Sequence, residues 1–132
     1  MNYLLDTHVF LWTLFNDELL SKNAVSIISN PENTVLVSVI SFWEISLKYN
    51  AGKLSLEGVL PDELPAYAEK AGLEIMNVTP AEVSSFYKLP ILKHKDPFDR
   101  LLVWQCINNN ICLISKDSDL AEYKNYGLQI MW

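Results

Sequence analysis

Short β-branched or leucine-rich runs alternate with helix-patterned stretches along the whole chain, and this alternation limits the fold more than any other feature. The runs are Tyr3–Leu5, Thr34–Ser38, Leu73–Val78, Ile111–Ser115 and Leu128–Met131. They are short enough for strands and apolar enough to be buried on both faces. Helical patterns lie between them. His8–Phe15 is the first, and a second starts from Ser21 as N-cap and runs through Ile28. Ser38–Ala51 follows, with Gly52 as its stop. Pro61–Ala71 and Pro80–Phe86 each begin on a proline, which suits a first helical turn. Asp96-Pro97 opens a strongly apolar helix to Asn108, and Asp117–Tyr123 is a last short one. Lys53–Val59 reads as irregular and Leu89–Lys95 as a connector. Strand–helix–strand units of this kind require parallel pairing with helices on both faces. The expected fold is therefore α/β, a doubly wound parallel sheet of four to five strands, in one domain over residues 1–132.

Composition narrows the function classes. Half of the 132 residues are hydrophobic and 20% are charged, which suits a packed core and not a disordered chain. No apolar run approaches the ~20 residues that span a bilayer. The N-terminus has no basic stretch followed by a long apolar one, so no signal peptide is expected. Cys106 and Cys112 make neither a metal-type pair nor a disulfide framework, and read as core thiols in a reducing cytoplasm. The net charge of −6 argues against a general nucleic-acid coat. It leaves room for a local basic patch, a metal site or a basic protein partner.

Carboxylates recur where strands give way to helices. Asp6 follows the first strand, and Glu44 lies one turn into the helix after the second. Asp96 and Asp99 head the long apolar helix, and Asp117 with Asp119 follows Ile111–Ser115. Each has a plain structural account. Ser41-x-x-Glu44 fits a capping box, Asp96 fits an N-cap before Pro97, and Asp6 and Asp117 can cap the helices that follow them. Topology adds a second account. In a parallel sheet, helices that follow strands all start at one edge, where ligands bind. Asp6, Glu44 and Asp117 then become neighbours, and Leu89–Lys95 must return the chain to that edge for Asp99 to join them. Crowded carboxylates raise one another's pKa values, and a divalent cation relieves the repulsion. Oxygen ligands without a Cys or His cluster favour Mg²⁺, with Mn²⁺ as the alternative.

The basic residues gather at the same turns. Lys93, Lys95, Arg100 and Lys116, four of the ten Lys and Arg, flank the acids and are candidates for phosphate contact. Lys48 stands four residues after Glu44, a favourable helical pair that can also orient it. Thr7 and Ser38 are candidates for positioning a ligand carboxylate or water. His8 and His94 sit near acids, but a lone histidine is a weak signal. Phe10, Trp12, Phe42, Trp43 and Trp104 read as core or dimer surface in preference to base-stacking platforms.

Leu4-Leu5-Asp6-Thr7-His8, Val37–Ile45, Asp96-Pro97-Phe98-Asp99-Arg100-Leu101-Leu102 and Ile114-Ser115-Lys116-Asp117 resemble the successive motifs of PIN domains. The resemblance is nearest to the VapC-like toxins of type II toxin–antitoxin pairs, and it covers essentially the whole chain. It implies a Mg²⁺-dependent endoribonuclease of PIN-like fold, hydrolysing RNA phosphodiesters with a metal-activated water. It matches Asp6, Glu44, Asp99 and Asp117 to the family's acidic quartet, as catalytic groups and metal ligands, with Asp96 and Asp119 as additional acids nearby. A cognate antitoxin protein and a homodimer are implied as partners, in the cytoplasm. The sequence departs from the family pattern at Ser115-Lys116, where Thr-Arg is frequent, and at Trp104 and Cys106, where small residues are usual. Two other classes stay open at this point. One is a phosphoacceptor switch domain, although Asp6 has no adjacent acid and the second strand ends in Ser38. The other is a PIN-fold binding module without turnover.

Overall fold

The computed structural model describes residues 1–132. Five strands form one sheet: β1 (Asn2–Leu5), β2 (Thr34–Ser38), β3 (Glu74–Met76), β4 (Cys112–Ile114) and β5 (Gln129–Met131). Their order is β3-β2-β1-β4-β5, and every neighbouring pair is parallel. The sheet is therefore the one expected, with β1 at its centre. In register, Leu4 lies beside Leu36 of β2 and Leu113 of β4.

Side-chain alternation explains why these strands are apolar throughout. Tyr3, Leu5, Val35, Val37, Cys112 and Ile114 face one layer. That layer holds α1 (Thr7–Phe15), α2 (Lys22–Ser29), α3 (Val39–Asn50) and α4 (Leu64–Lys70), through Val9, Phe10, Ala24, Ile45, Leu64 and Ala68. Leu4 and Leu113 face the other layer. There they meet Leu102, Val103 and Cys106 of α6 (Pro97–Asn109) and Leu120 and Tyr123 of a 3₁₀ segment, Ser118–Tyr126. A strand buried on both faces has no polar side, so period-two polarity is absent and the run reads as continuous.

Boundaries shift by a residue or two at several elements, and four differences bear on the architecture. The third strand is Glu74–Met76, shorter than Leu73–Val78, because it sits at the sheet edge and pairs only with Leu36–Ser38. Pro61–Glu63 is a 3₁₀ turn before α4. The last helix is 3₁₀ throughout and ends at Gly127, whose φ of 99° suits glycine. The cap of α3 is Ser38, not Ser41: Ser38 is still extended and its hydroxyl accepts from Ile40 N at 3.1 Å. Glu44 is thereby released from a capping role.

Between β2, α6 and α5 (Pro80–Ser85) runs a buried polar chain. The Ser38 hydroxyl donates to Gln105 Oε1 at 2.7 Å, and Gln105 Nε2 donates to Asn77 O at 3.2 Å and Glu82 Oε1 at 3.3 Å. Glu82 also accepts from Thr79 N at 2.8 Å and Asn109 Nδ2 at 2.7 Å. Ser38 was a candidate for orienting the acidic site, and the structure places it here instead, turned into the interior toward α6. Gln105→Leu should lower stability by about 2–3 kcal/mol in urea unfolding, because it strips donors from a buried carboxylate and an acceptor from Ser38.

Candidate metal centre

The sheet order reverses at β1: the chain moves outward to β2 and β3, then returns to β4 and β5 on the other side. That reversal opens a crevice at the carboxyl ends of β1 and β4. Asp6 stands at one lip and Asp117 at the other, and both line one cavity.

Asp6 is 7% exposed and is the N-cap of α1, its Oδ1 accepting from Val9 N at 2.8 Å. The cap engages Oδ1, so capping does not by itself exclude a ligand role for Asp6. Burial pushes the Asp6 carboxyl above its ordinary range; hydrogen bonds from Ser115 and Val9 and the nearness of His8 work against this, and Glu44 adds to it.

Glu44 is 3% exposed. The Thr7 hydroxyl donates to its Oε1 at 2.7 Å, with Ser41 Oγ 2.9 Å from the same hydroxyl. The Lys48 ammonium lies on Oε2, one helical turn on. Burial pulls the Lys48 ammonium down, but Glu44, Asp96 and Asp99 outweigh it and hold it charged. The expected orienting roles of Thr7 and Lys48 have this geometry beneath them.

Asp96 is the cap of α6, its Oδ1 accepting from Phe98 N at 2.9 Å and Asp99 N at 3.1 Å. The cap turns Asp99, in the first helical turn, toward the crevice. Burial raises the Asp99 pKa to about 6, opposed by its hydrogen bond with His94 and reinforced by Asp96 and Glu44. Asp117 Oδ1 accepts from Asp119 N at 3.0 Å, which also fixes one of its oxygens.

His94 joins the two halves. Its Nε2 is 2.7 Å from Asp99 Oδ2 and its Nδ1 is 3.1 Å from Asp117 Oδ2. An imidazolium donates to both carboxylates at once, whereas a neutral ring donates to one. His94, Asp117 and Asp119 also present ligand atoms within 4.8 Å of one another. The sequence reading gave His94 little weight. Its signal was present: a histidine two residues before a capping aspartate, in the connector that has to return to this edge.

Arg100 was a phosphate-contact candidate, and its placement corrects that. It is 9% exposed, its Nε donating to Tyr123 Oη at 3.2 Å and its NH2 nitrogen to Leu89 O at 3.0 Å, with the guanidinium 4.8 Å from the Phe86 ring centre. Tyr123 Oη donates to Pro90 O at 3.0 Å. Arg100 thus clamps the connector that carries His94 and faces away from solvent. Lys93 pairs with Asp119 at 3.3 Å, and Lys116 is exposed at the crevice mouth.

Asp6, Glu44, Asp99 and Asp117 are therefore joined in sequence by Thr7, a shared field and His94. Six carboxylates, counting Asp96 and Asp119, face Lys48, Lys93 and His94. The four quartet acids offer only oxygen donors, which suits a hard divalent ion, while the group whose ligand atoms already lie within 4.8 Å of one another, His94, Asp117 and Asp119, adds a ring nitrogen.

A sequence model described as "PIN domain" matches residues 3–126. No curated protein matches the sequence significantly. Among solved structures, the chain is similar to one of VapBC2 from Rickettsia felis bound to a DNA fragment from its promoter (TM-score 0.67, 18% identity, 99% of this chain and 98% of that one covered). It is similar to one of DNA-bound VapBC from Salmonella typhimurium (TM-score 0.64, 16% identity, 99% and 97% covered). A third is VapBC-5 of the VapBC family of toxin–antitoxin systems from Mycobacterium tuberculosis (TM-score 0.63, 17% identity, 98% and 97% covered).

The raised pKa of Asp99 has a consequence for stability. Its folded pKa of about 6 lies above the ordinary 3.8, so the folded metal-free protein holds this proton more tightly than the unfolded chain. Stability from this group is present below the ordinary value and is lost as pH rises through about 6. Asp99→Asn, which removes the charge, should therefore raise the metal-free unfolding free energy at pH 7.5 by on the order of 2 kcal/mol, read as a higher melting temperature in thermal scans. The gain should vanish at pH 4 in the same thermal scans.

Proposed function

The chain belongs to the PIN domain family, and from that premise we propose that it is a divalent-metal-dependent endoribonuclease, the toxin of a type II toxin–antitoxin pair. The observation that carries this reading is the chain of links among four acids from separate segments: Asp6 and Asp117 line one cavity, His94 bridges Asp117 to Asp99, and Glu44 lies in the field of both Asp6 and Asp99. Asp6 and Asp99 are the residues that would hold Mg²⁺ or Mn²⁺, with Glu44 and Asp117 completing the set. A bound ion supplies Lewis acidity toward a phosphodiester oxygen and lowers the pKa of a bound water.

The chain's own groups prepare that chemistry. The cap on Asp6 and the His94 contact on Asp99 restrict carboxylates that would otherwise rotate apart. Thr7 and Lys48 fix both oxygens of Glu44. With one oxygen pinned by Asp119 N, Asp117 keeps its second near His94.

The phosphoacceptor alternative finds no support in this arrangement. It requires a pair of adjacent acids after the first strand, and Asp6 is followed there by Thr7, whose hydroxyl is committed to Glu44. A protein partner has a surface to use. Trp43 is 58% exposed, and with Val83, Phe86, Pro97, Phe98 and Leu101 it lines an apolar groove of about 220 Å³ beside Glu44 and Asp99. We take this groove as support for an antitoxin or a second copy of the chain seated next to the acids. No helix is long and apolar enough to cross a membrane, and a cytoplasmic site of action is part of the same proposal.

Asp6→Asn keeps an oxygen to cap Val9 N and removes the charge. It should retain the wild-type circular dichroism spectrum and cut single-stranded RNA about 100- to 1000-fold more slowly in Mg²⁺. Equal rates for Asp6→Asn and wild type would sink the mechanism. A folded wild type that cuts no RNA in Mg²⁺ or Mn²⁺ would leave only the binding-module reading.

A further inference from the structure

A cavity of about 430 Å³ opens directly beside Asp6 and Asp117, and its remaining walls are His8, Trp12 and Lys116. His8 and Trp12 are one helical turn apart on α1, with ring centres 6.1 Å apart and planes tilted by 42°. The far edge of Trp12 rests against Trp132, 5.9 Å between centres. Trp12 also borders a second cavity of about 500 Å³, shared with Leu11, Phe15 and Leu56. Trp12 is thus a wall common to both, and the track beside the acids is the first of them, since Glu57 on the second would repel a phosphate.

Charge decides what can lie in it. Lys48 is committed to Glu44, Lys93 to Asp119, and Arg100 is buried under the connector. Lys116 is exposed, makes no ion pair, and stands at the mouth of the first cavity. The track thus offers one free cation beside the acids and a pair of flat rings next to it. Those are the two kinds of group that one nucleotide unit needs: a cation for its phosphate and an aromatic face for its base. α1 begins at the Asp6 cap, so the rings are held in fixed relation to a proposed metal ligand.

We propose that His8, Trp12 and Lys116 form a subsite for the unpaired nucleotide adjoining the cut phosphodiester, with its base on the His8–Trp12 rings and its phosphate on Lys116. The inference rests on the nuclease reading. It requires a single strand, because a paired base has both faces covered by its neighbours in the stack. It also revises the expectation that Trp12 is simply core or dimer surface.

The test uses the full chain and fluorescein-labelled RNA 12-mers, single-stranded and duplexed. Binding is followed by anisotropy with Ca²⁺ in place of Mg²⁺, and cleavage by steady-state kinetics in Mg²⁺. His8 and Lys116 are exposed, so His8→Ala and Lys116→Ala leave the core untouched, and Trp12→Phe keeps a ring against Trp132. His8→Ala should raise Kd and KM for single-stranded RNA about tenfold, with kcat changed less than about twofold. Lys116→Ala should lower the slope of log Kd against log salt by about one. The duplex should bind more weakly and be indifferent to His8→Ala. If wild type cuts single-stranded RNA while all three variants keep its Kd, KM and salt slope, the subsite is wrong and the nuclease reading stands. A duplex bound as tightly, with the same response to His8→Ala, overturns the stacking. Wild type that neither binds nor cuts RNA overturns the nuclease reading and the subsite with it.

Discussion

Burial of ionisable carboxylates, with their mutual repulsion added to it, is the constraint on which the rest of this structure depends. Asp6 and Glu44 are almost wholly removed from solvent, and Asp99 is raised by burial to about 6. Left free, such groups would turn outward to water or take up protons. They stay because each is tied down by a different local device. Helix-start amides hold Asp6 and Asp117, a hydroxyl and an ammonium hold Glu44, and an imidazole holds Asp99. The folding energy that opposes the repulsion comes from the two apolar layers on either side of β1. Asp99→Asn is informative for this reason: it relieves strain that the fold sustains for the site.

The connector before α6 shows how distant residues serve that arrangement. Residues 89–96 carry no regular structure, yet His94 must reach two carboxylates at once. Arg100 and Tyr123 anchor the start of the segment through the carbonyls of Leu89 and Pro90, and the Asp96 cap anchors its end. A guanidinium without a carboxylate partner is a costly thing to bury. Its carbonyl and hydroxyl acceptors and the Phe86 ring offset that cost. The polar chain from Ser38 through Gln105 to Glu82 performs the same service for the other side of α6.

The parallel sheet with helices on both faces, and the recurrence of acids at helix starts, could be read from the chain because they rest on short-range patterns. A strand buried on both faces is a run of apolar residues, and a helix start announces itself by its cap. Asp6, Asp96 and Asp117 carried that signal whether or not they also form a site. What could not be read was direction. Arg100 beside Asp99 looks the same in sequence whether it faces solvent or Tyr123, and only the packing of Ser118–Tyr126 against α6 decides. Ser38 likewise could face the acids or the interior, and only the place of Gln105 on α6 decides. His94 stands in an irregular segment where no period assigns a face, so its nearness to the capping Asp96 is its one local signal, and only the fold sets it between Asp99 and Asp117.

The cations present a final problem, since a chain of net charge −6 is proposed to hold a polyanion. Most of the basic groups near the acids are occupied with internal partners. Lys48 neutralises Glu44, Lys93 meets Asp119, and Arg100 braces the connector. Attraction for phosphate must then come from the bound ion and from the few free cations at the rim, Lys116 among them. Such an interface makes few phosphate contacts, so its salt dependence should be shallow compared with that of a basic nucleic-acid coat. What charge does not provide, ring stacking on a single strand can, and the aromatic residues of α1 are placed to do so. A shortage of free charge thus favours an unpaired substrate over a duplex, because only the unpaired base exposes the faces those rings can use.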